Sequence, residues 1–240
     1  FIQGLSVWII YTLDHLLDAK RIKGIANTRR HFFHQKYYHY LVPFVVFSIA
    51  ICFVFCCLYL PLSTWVWGSI VAILSAIHLL VAHLLKFSKS KFQMKELVVA
   101  FNYAAGIFVP SLSLKIDVLF VDIVSFILLL LLAYMNLLMF SYFDFDKDSK
   151  QLQGSFAVSY GSSFTKNVVL IIGVVVISIC SVGSILISDR YALLCLAFIV
   201  LVGILYSSMI WLIGNDKISE KYRRFGDLVF VVPLILILFE

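Results

Sequence analysis

Asp14 and Asp18 stand four residues apart in Y-T-L-D-H-L-L-D-A-K-R, and Asp144 and Asp148 repeat that spacing in Y-F-D-F-D-K-D-S-K. Residues i and i+4 share a helix face, so each pair brings two carboxylates towards one point if its helix runs through it. Like charges that close repel unless a cation sits between them. Oxygen-only ligands at a membrane–water boundary suit Mg2+, which keeps several waters and prefers to bind substrate phosphates as well. Two such helix ends facing each other would hold a diphosphate through bridging Mg2+, with nearby Lys and Arg taking the remaining charge. The plainer reading is a pair of solvated helix ends balanced by the adjacent basic residues. That reading serves well for one pair and less well for two pairs at equivalent places.

The elements that carry these carboxylates are set by an unusually apolar composition. Of 240 residues, 62% are hydrophobic and 13% charged, the latter about half the usual share of a soluble domain. The mean hydropathy is +1.03. A water-soluble chain of this size has no means of hiding so much apolar surface, whereas a membrane bundle exposes it to lipid. Apolar runs near 1–17, 41–61, 65–86, 96–114, 118–143, 167–188, 190–213 and 226–240 predict eight transmembrane helices. Of the 19 Lys and Arg, all but Lys115 and Arg190 fall in segments 19–40, 86–95, 144–166 and 214–225. Such alternation puts those segments in the cytoplasm, and with them both Asp pairs. It accounts for the net charge of +6 by topology and argues against nucleic acid as a partner. The pairs close the first and fifth spans, four helices apart, which predicts two pseudo-repeated four-helix halves of one transmembrane domain over residues 1–240, around a cytoplasm-facing cavity. The chain opens at Phe1 without Met, and further sequence upstream is expected.

The second Asp pair and its sequel, D-F-D-K-D-S-K-Q-L-Q-G-S-F-A-V-S-Y-G from Asp144 to Gly161, resemble the UbiA-type intramembrane prenyltransferases. Members of that family carry D-x-x-x-D here, followed at the same interval by a Thr-Leu-x-Val-like stretch ending in Gly. In this chain that stretch is Ser155-Phe156-Ala157-Val158, then Gly161. The family has nine helices, so the resemblance implies eight visible here and one upstream. The first motif departs from the family's N-D-x-x-D-x-x-x-D, because Ile10 and Tyr11 stand where Asn and the first Asp belong. Thr28-Arg29-Arg30-His31 is similar to an Arg-Thr-Arg element of the family's cytoplasmic loop, and Lys89 and Lys91 lie where members often carry basic residues. The resemblance implies Mg2+-dependent transfer of a prenyl group from a prenyl diphosphate to a lipophilic, often aromatic or quinone-precursor, acceptor. It implies Asp14, Asp18, Asp144 and Asp148 as metal-binding and catalytic residues, with Arg29, Arg30, Lys89 and Lys91 binding substrate. A bacterial cytoplasmic membrane is the expected setting.

Asn136, about two turns before Asp144, is a candidate for orienting the acceptor, although an interhelical hydrogen bond explains it as simply. Asp146 points away from Asp144 on a helix. Asp227, in R-R-F-G-D, is expected to pair with Arg223 or Arg224. His31, His34 and His39 form a possible metal set, with headgroup-facing histidines as the simpler reading. The five cysteines, Cys52, Cys56, Cys57, Cys180 and Cys195, lie in apolar runs without a C-x-x-C spacing, which reads as packing. Two other functions compete with prenyl transfer. A carboxylate-based transporter should carry its acids near mid-membrane on broken helices, not clustered at one face. A relative that has lost its chemistry would bind an isoprenoid lipid, and the incomplete first motif favours that alternative.

Overall fold

A computed structural model describes residues 1–21, 29–84, 95–114, 119–150, 154–186 and 190–212, together with Tyr222, Arg223 and Gly226. Among the described residues the regular structure is helical throughout: α1 (Ile2–Arg21), α2 (Arg29–Lys36), α3 (Tyr38–Tyr59), α4 (Leu62–Leu84), α5 (Lys95–Leu114), α6 (Phe120–Lys150), α7 (Phe156–Tyr160), α8 (Ser162–Leu186) and α9 (Arg190–Leu212). In hydrocarbon each backbone N–H and C=O needs a partner within the chain, and long apolar runs meet that demand as helices. Six of these helices, α3, α4, α5, α6, α8 and α9, are long and apolar enough to cross a membrane, which makes this a multi-pass membrane protein. The first expected span forms a helix, yet α1 is not among the six, because Gln3, Asp14, His15 and Asp18 lower its hydropathy. Beyond Gly226, the expected last span falls outside the described residues.

The helices end where the sequence gives them reason to. Leu60, held extended before Pro61, closes α3, since the residue before a proline is pushed out of the helical region. Pro43 and Pro110 stay inside α3 and α5. Gly161 separates α7 from α8 at φ +93°, a backbone conformation that L side chains rarely adopt. Both Asp-bearing helices run through their pairs, α1 to Arg21 and α6 to Lys150.

The chain divides into two compact units, Phe1–Lys86 with Ala105–Val118, and Phe87–Ala104 with Leu119–Glu240. In the first, α1 packs against α2 and α3 around Ile9, Leu16, Val45 and Cys52. The Thr64 hydroxyl donates to Ser113 Oγ at 2.8 Å, and Gln3 Nε2 to the Gly106 carbonyl at 3.2 Å. In the second unit, α6 packs on α7, α8 and α9, and α8 lies along α9, with Leu128, Met135, Leu138, Val169, Val176, Val202 and Tyr206 in the core. Small residues let α8 and α9 approach closely: a Cβ on Gly173 would stand 2.6 Å from Ser207 Oγ. At 31 residues α6 is about 46 Å long by its rise per residue, against a hydrocarbon core of about 30 Å. It is therefore longer than a span needs.

Candidate functional site

Asp144 is the best-buried acid of the four. It is 5% exposed, and a carboxylate so far from water needs compensating charge and hydrogen bonds. Both come from around it. The Tyr222 hydroxyl donates to Oδ1 at 2.5 Å, the Arg223 guanidinium pairs with Oδ2, and Lys147 Nζ lies 3.7 Å from Oδ1, one helical turn along α6. Arg223 also rests over the rings of Phe140 and Tyr222, with its guanidinium carbon 5.2 and 5.8 Å from their centroids. Burial, then the hydrogen bond to Asp144, pushes the Tyr222 phenol above its usual range, so at neutral pH it remains a donor. Burial works against the Arg223 charge, but Asp144 and Tyr222 together outweigh it and the guanidinium is held more firmly protonated than usual. Asp148, one turn beyond, is half-buried and stands within electrostatic reach of Asp144, Ser155, Lys95 and Arg223. Asp146 is exposed on the other side of the helix, as its spacing predicts.

The stretch after the second motif turns back against this helix end as α7. Its first amides, which no helix bond can satisfy, are taken by two buried side chains from other helices. Phe156 N–H donates to Glu96 Oε1 and Ala157 N–H to Ser141 Oγ, each at 2.8 Å. Glu96 thus carries α5 to the same end of α6. Its negative charge suits a helix N-terminus.

Two turns deeper, Asn136 is 6% exposed, and its Oδ1 has no hydrogen-bond partner among the described residues. Gly226 lies directly against it. A Cβ there would stand 2.7 Å from Asn136 Oδ1 and 2.7 Å from the Phe140 ring, so any larger residue forces one of these side chains to shift. The Gly226 carbonyl accepts from the Tyr206 hydroxyl at 3.0 Å. Tyr222, Arg223 and Gly226 are therefore fixed to α6 and α9 at two levels, by Asp144 above and by Asn136, Phe140 and Tyr206 below.

The first Asp pair belongs to the other unit. Ile9, Thr12, Leu16 and Ala19 form the buried face of α1 with His15, and Asp14 and Asp18 flank it half-exposed. His15 Nδ1 lies 3.7 Å from Asp14 Oδ2. The His15 ring packs on Tyr11 at 4.1 Å and on His34 of α2 at 5.0 Å. His34 is buried, not turned to headgroups. Arg29 and Arg30 open α2, with only their backbone among the described residues. Lys89, Lys91, Arg224 and Asp227 lie outside them, so the expected pairing of Asp227 does too. Arg223 has Asp144 as its partner.

Among the described residues no group of three or more His, Cys, Asp or Glu side chains is arranged to hold a metal ion. The four carboxylates nonetheless have the donor chemistry of a hard divalent cation, which takes one or two carboxylates and keeps its waters. Asp144 already has Arg223 as its counter-ion. Sequence reasoning missed Tyr222, Glu96 and Gly226, and it missed Arg223 as a partner of the motif. Glu96 alone left a signal, as an acid at the head of an apolar run beside Lys95. No protein-family model, curated protein or solved structure matches the chain.

Proposed function

We propose that this protein is a divergent UbiA-type prenyltransferase that moves a prenyl group from a prenyl diphosphate to a lipophilic acceptor within the membrane. The observation that carries the proposal is the convergence of Asp144 and Asp148 with Arg223 and Lys147 at one polar end of the long apolar helix α6. A charged headgroup with an apolar tail needs that combination. The diphosphate meets fixed cations and carboxylates, while the chain lies along apolar helices. In this reading Arg223 and Lys147 take phosphate oxygens, and Tyr222 orients the carboxylate. Asp14, Asp18, Asp144 and Asp148 hold Mg2+, with Arg29, Arg30, Lys89 and Lys91 adding positive charge and Asn136 orienting the acceptor. When bound, Mg2+ stabilises the charge that develops on the leaving diphosphate. The apolar surroundings keep water from the allylic cation, and the acceptor's attack on it, with loss of a proton, completes the transfer. Two four-helix halves of a nine-helix bundle, in a bacterial cytoplasmic membrane with the site on the cytoplasmic face, complete the proposal. The alternation of basic segments supports that orientation.

One pair of observations favours a second reading, an isoprenoid-binding relative without chemistry: Ile10 and Tyr11 replace family ligands, and Asp144 is already neutralised by Arg223. Enzyme variants separate the two. With purified protein, Mg2+ and labelled prenyl diphosphates, Asp18→Ala and Asp144→Ala should each abolish transfer. Full activity in both variants would remove these carboxylates from the site.

A further inference from the structure

Asp144 holds a cation of the protein's own where the proposed reaction puts a metal ion. One oxygen accepts from the Tyr222 hydroxyl at 2.5 Å and lies 3.7 Å from Lys147, and the other pairs with Arg223. Asp148 lies close by. Arg223 and Lys147 at Asp144, with Lys95 in reach of Asp148, already balance both carboxylates. A divalent cation arriving alone meets Arg223 and Lys147 and is repelled. A diphosphate arriving alone meets Asp144 and Asp148 and finds Arg223 already engaged. Arriving together, they resolve both conflicts, because the cation takes Asp144 while the guanidinium turns to a phosphate, for which its planar fork is well suited.

We propose that Arg223 is a resident counter-ion of Asp144 that excludes a divalent cation until a diphosphate draws the guanidinium away. Metal and diphosphate binding are then positively coupled through this one side chain, and by linkage the coupling is reciprocal. Asp144 keeps a counter-charge in both states, as a carboxylate so buried requires. The aromatic faces of Phe140 and Tyr222 beneath the guanidinium give it a surface on which to turn without leaving the site. This inference rests on the prenyl diphosphate reading for its second ligand, but its first half concerns the metal alone.

Mn2+ binding to the full chain in detergent, followed by electron paramagnetic resonance, tests it without any turnover. Arg223→Gln should bind Mn2+ about tenfold more tightly than the unaltered protein, within the usual range of coupling between sites. Asp144→Asn combined with Arg223→Gln should lose that gain. Arg223→Lys keeps a charge for Asp144 but makes a weaker, single-point contact, so it should fall between and serves if the Gln variant fails to fold. Mn2+ affinity in both single variants no higher than in the unaltered protein would overturn the proposal. A gain that survives the added Asp144→Asn change would overturn it as well. The prenyl transfer reading fails by a different result, absence of pyrophosphate release from prenyl diphosphates with Mg2+, whatever Mn2+ does.

Discussion

The four carboxylates share a spacing but not an environment. Asp14 and Asp18 flank the buried face of α1 and remain half-exposed, whereas Asp144 is sealed beneath Tyr222, Arg223 and Lys147. Removing Asp144 therefore acts on folding. Asp144→Ala leaves Arg223 without its partner, and breaking a buried pair from one side costs about 3 kcal/mol or more. Thermal unfolding in detergent should show that loss, and a lesser one for Asp14→Ala. Gly226→Ala is a second test. Its methyl group has to enter space held by Asn136 Oδ1 and the Phe140 ring, an overpacking of about 1–3 kcal/mol. A midpoint unchanged from the unaltered protein would show that Gly226 does not lie against α6. The sequence made the Asp pairs legible because i,i+4 is a local rule. It could not reveal that Arg223, 79 residues along the chain from Asp144, is the counter-ion, since nothing in the spacing of R-R-F-G-D distinguishes a pair with Asp227 from one with Asp144.

The apolar part of α6 followed from its composition, a run expected over 118–143, but the helix continues through the acidic turns to Lys150. The α7 helix did not follow from composition. Five residues are too few to show a period, and α7 depends on side chains from two other helices to satisfy its first amides. Glu96→Ala should leave the Phe156 N–H buried without an acceptor, at about 1–3 kcal/mol. Hydrogen exchange at Phe156 and Ala157 should speed up while the middle of α6 stays protected. Equal protection at Phe156 before and after the change would mean that Glu96 is not its acceptor. The α2 helix was likewise invisible to hydropathy, because R-R-H-F-F-H-Q-K reads as a basic loop until His34 is seen packed on His15.

On the scale of the whole molecule, hydropathy alone was enough to indicate a multi-pass helical protein, because lipid imposes a single rule on every span. It overrated the first span, where chemistry-bearing residues dilute the apolar run. The arrangement of charges leads to a prediction of orientation. Single cysteines placed at Asp146 and at Lys115, in a chain otherwise free of cysteine, should react from opposite sides of sealed vesicles with a reagent that does not cross membranes. Asp146 should label from the cytoplasmic side. Labelling of both from one side would break the alternation on which the orientation rests. Pyrophosphate release shows whether the polar end of α6 handles a prenyl diphosphate. Purified protein is incubated with prenyl diphosphates of several chain lengths and candidate lipophilic acceptors, and pyrophosphate release is followed with Mg2+ and with a chelator. Release should occur with at least one donor, require Mg2+ and fall about a hundredfold or more in Asp144→Asn, as expected when a group that stabilises the transition state is lost. No release from any donor, or release that persists in the chelator and in Asp144→Asn, would contradict the prenyl diphosphate reading.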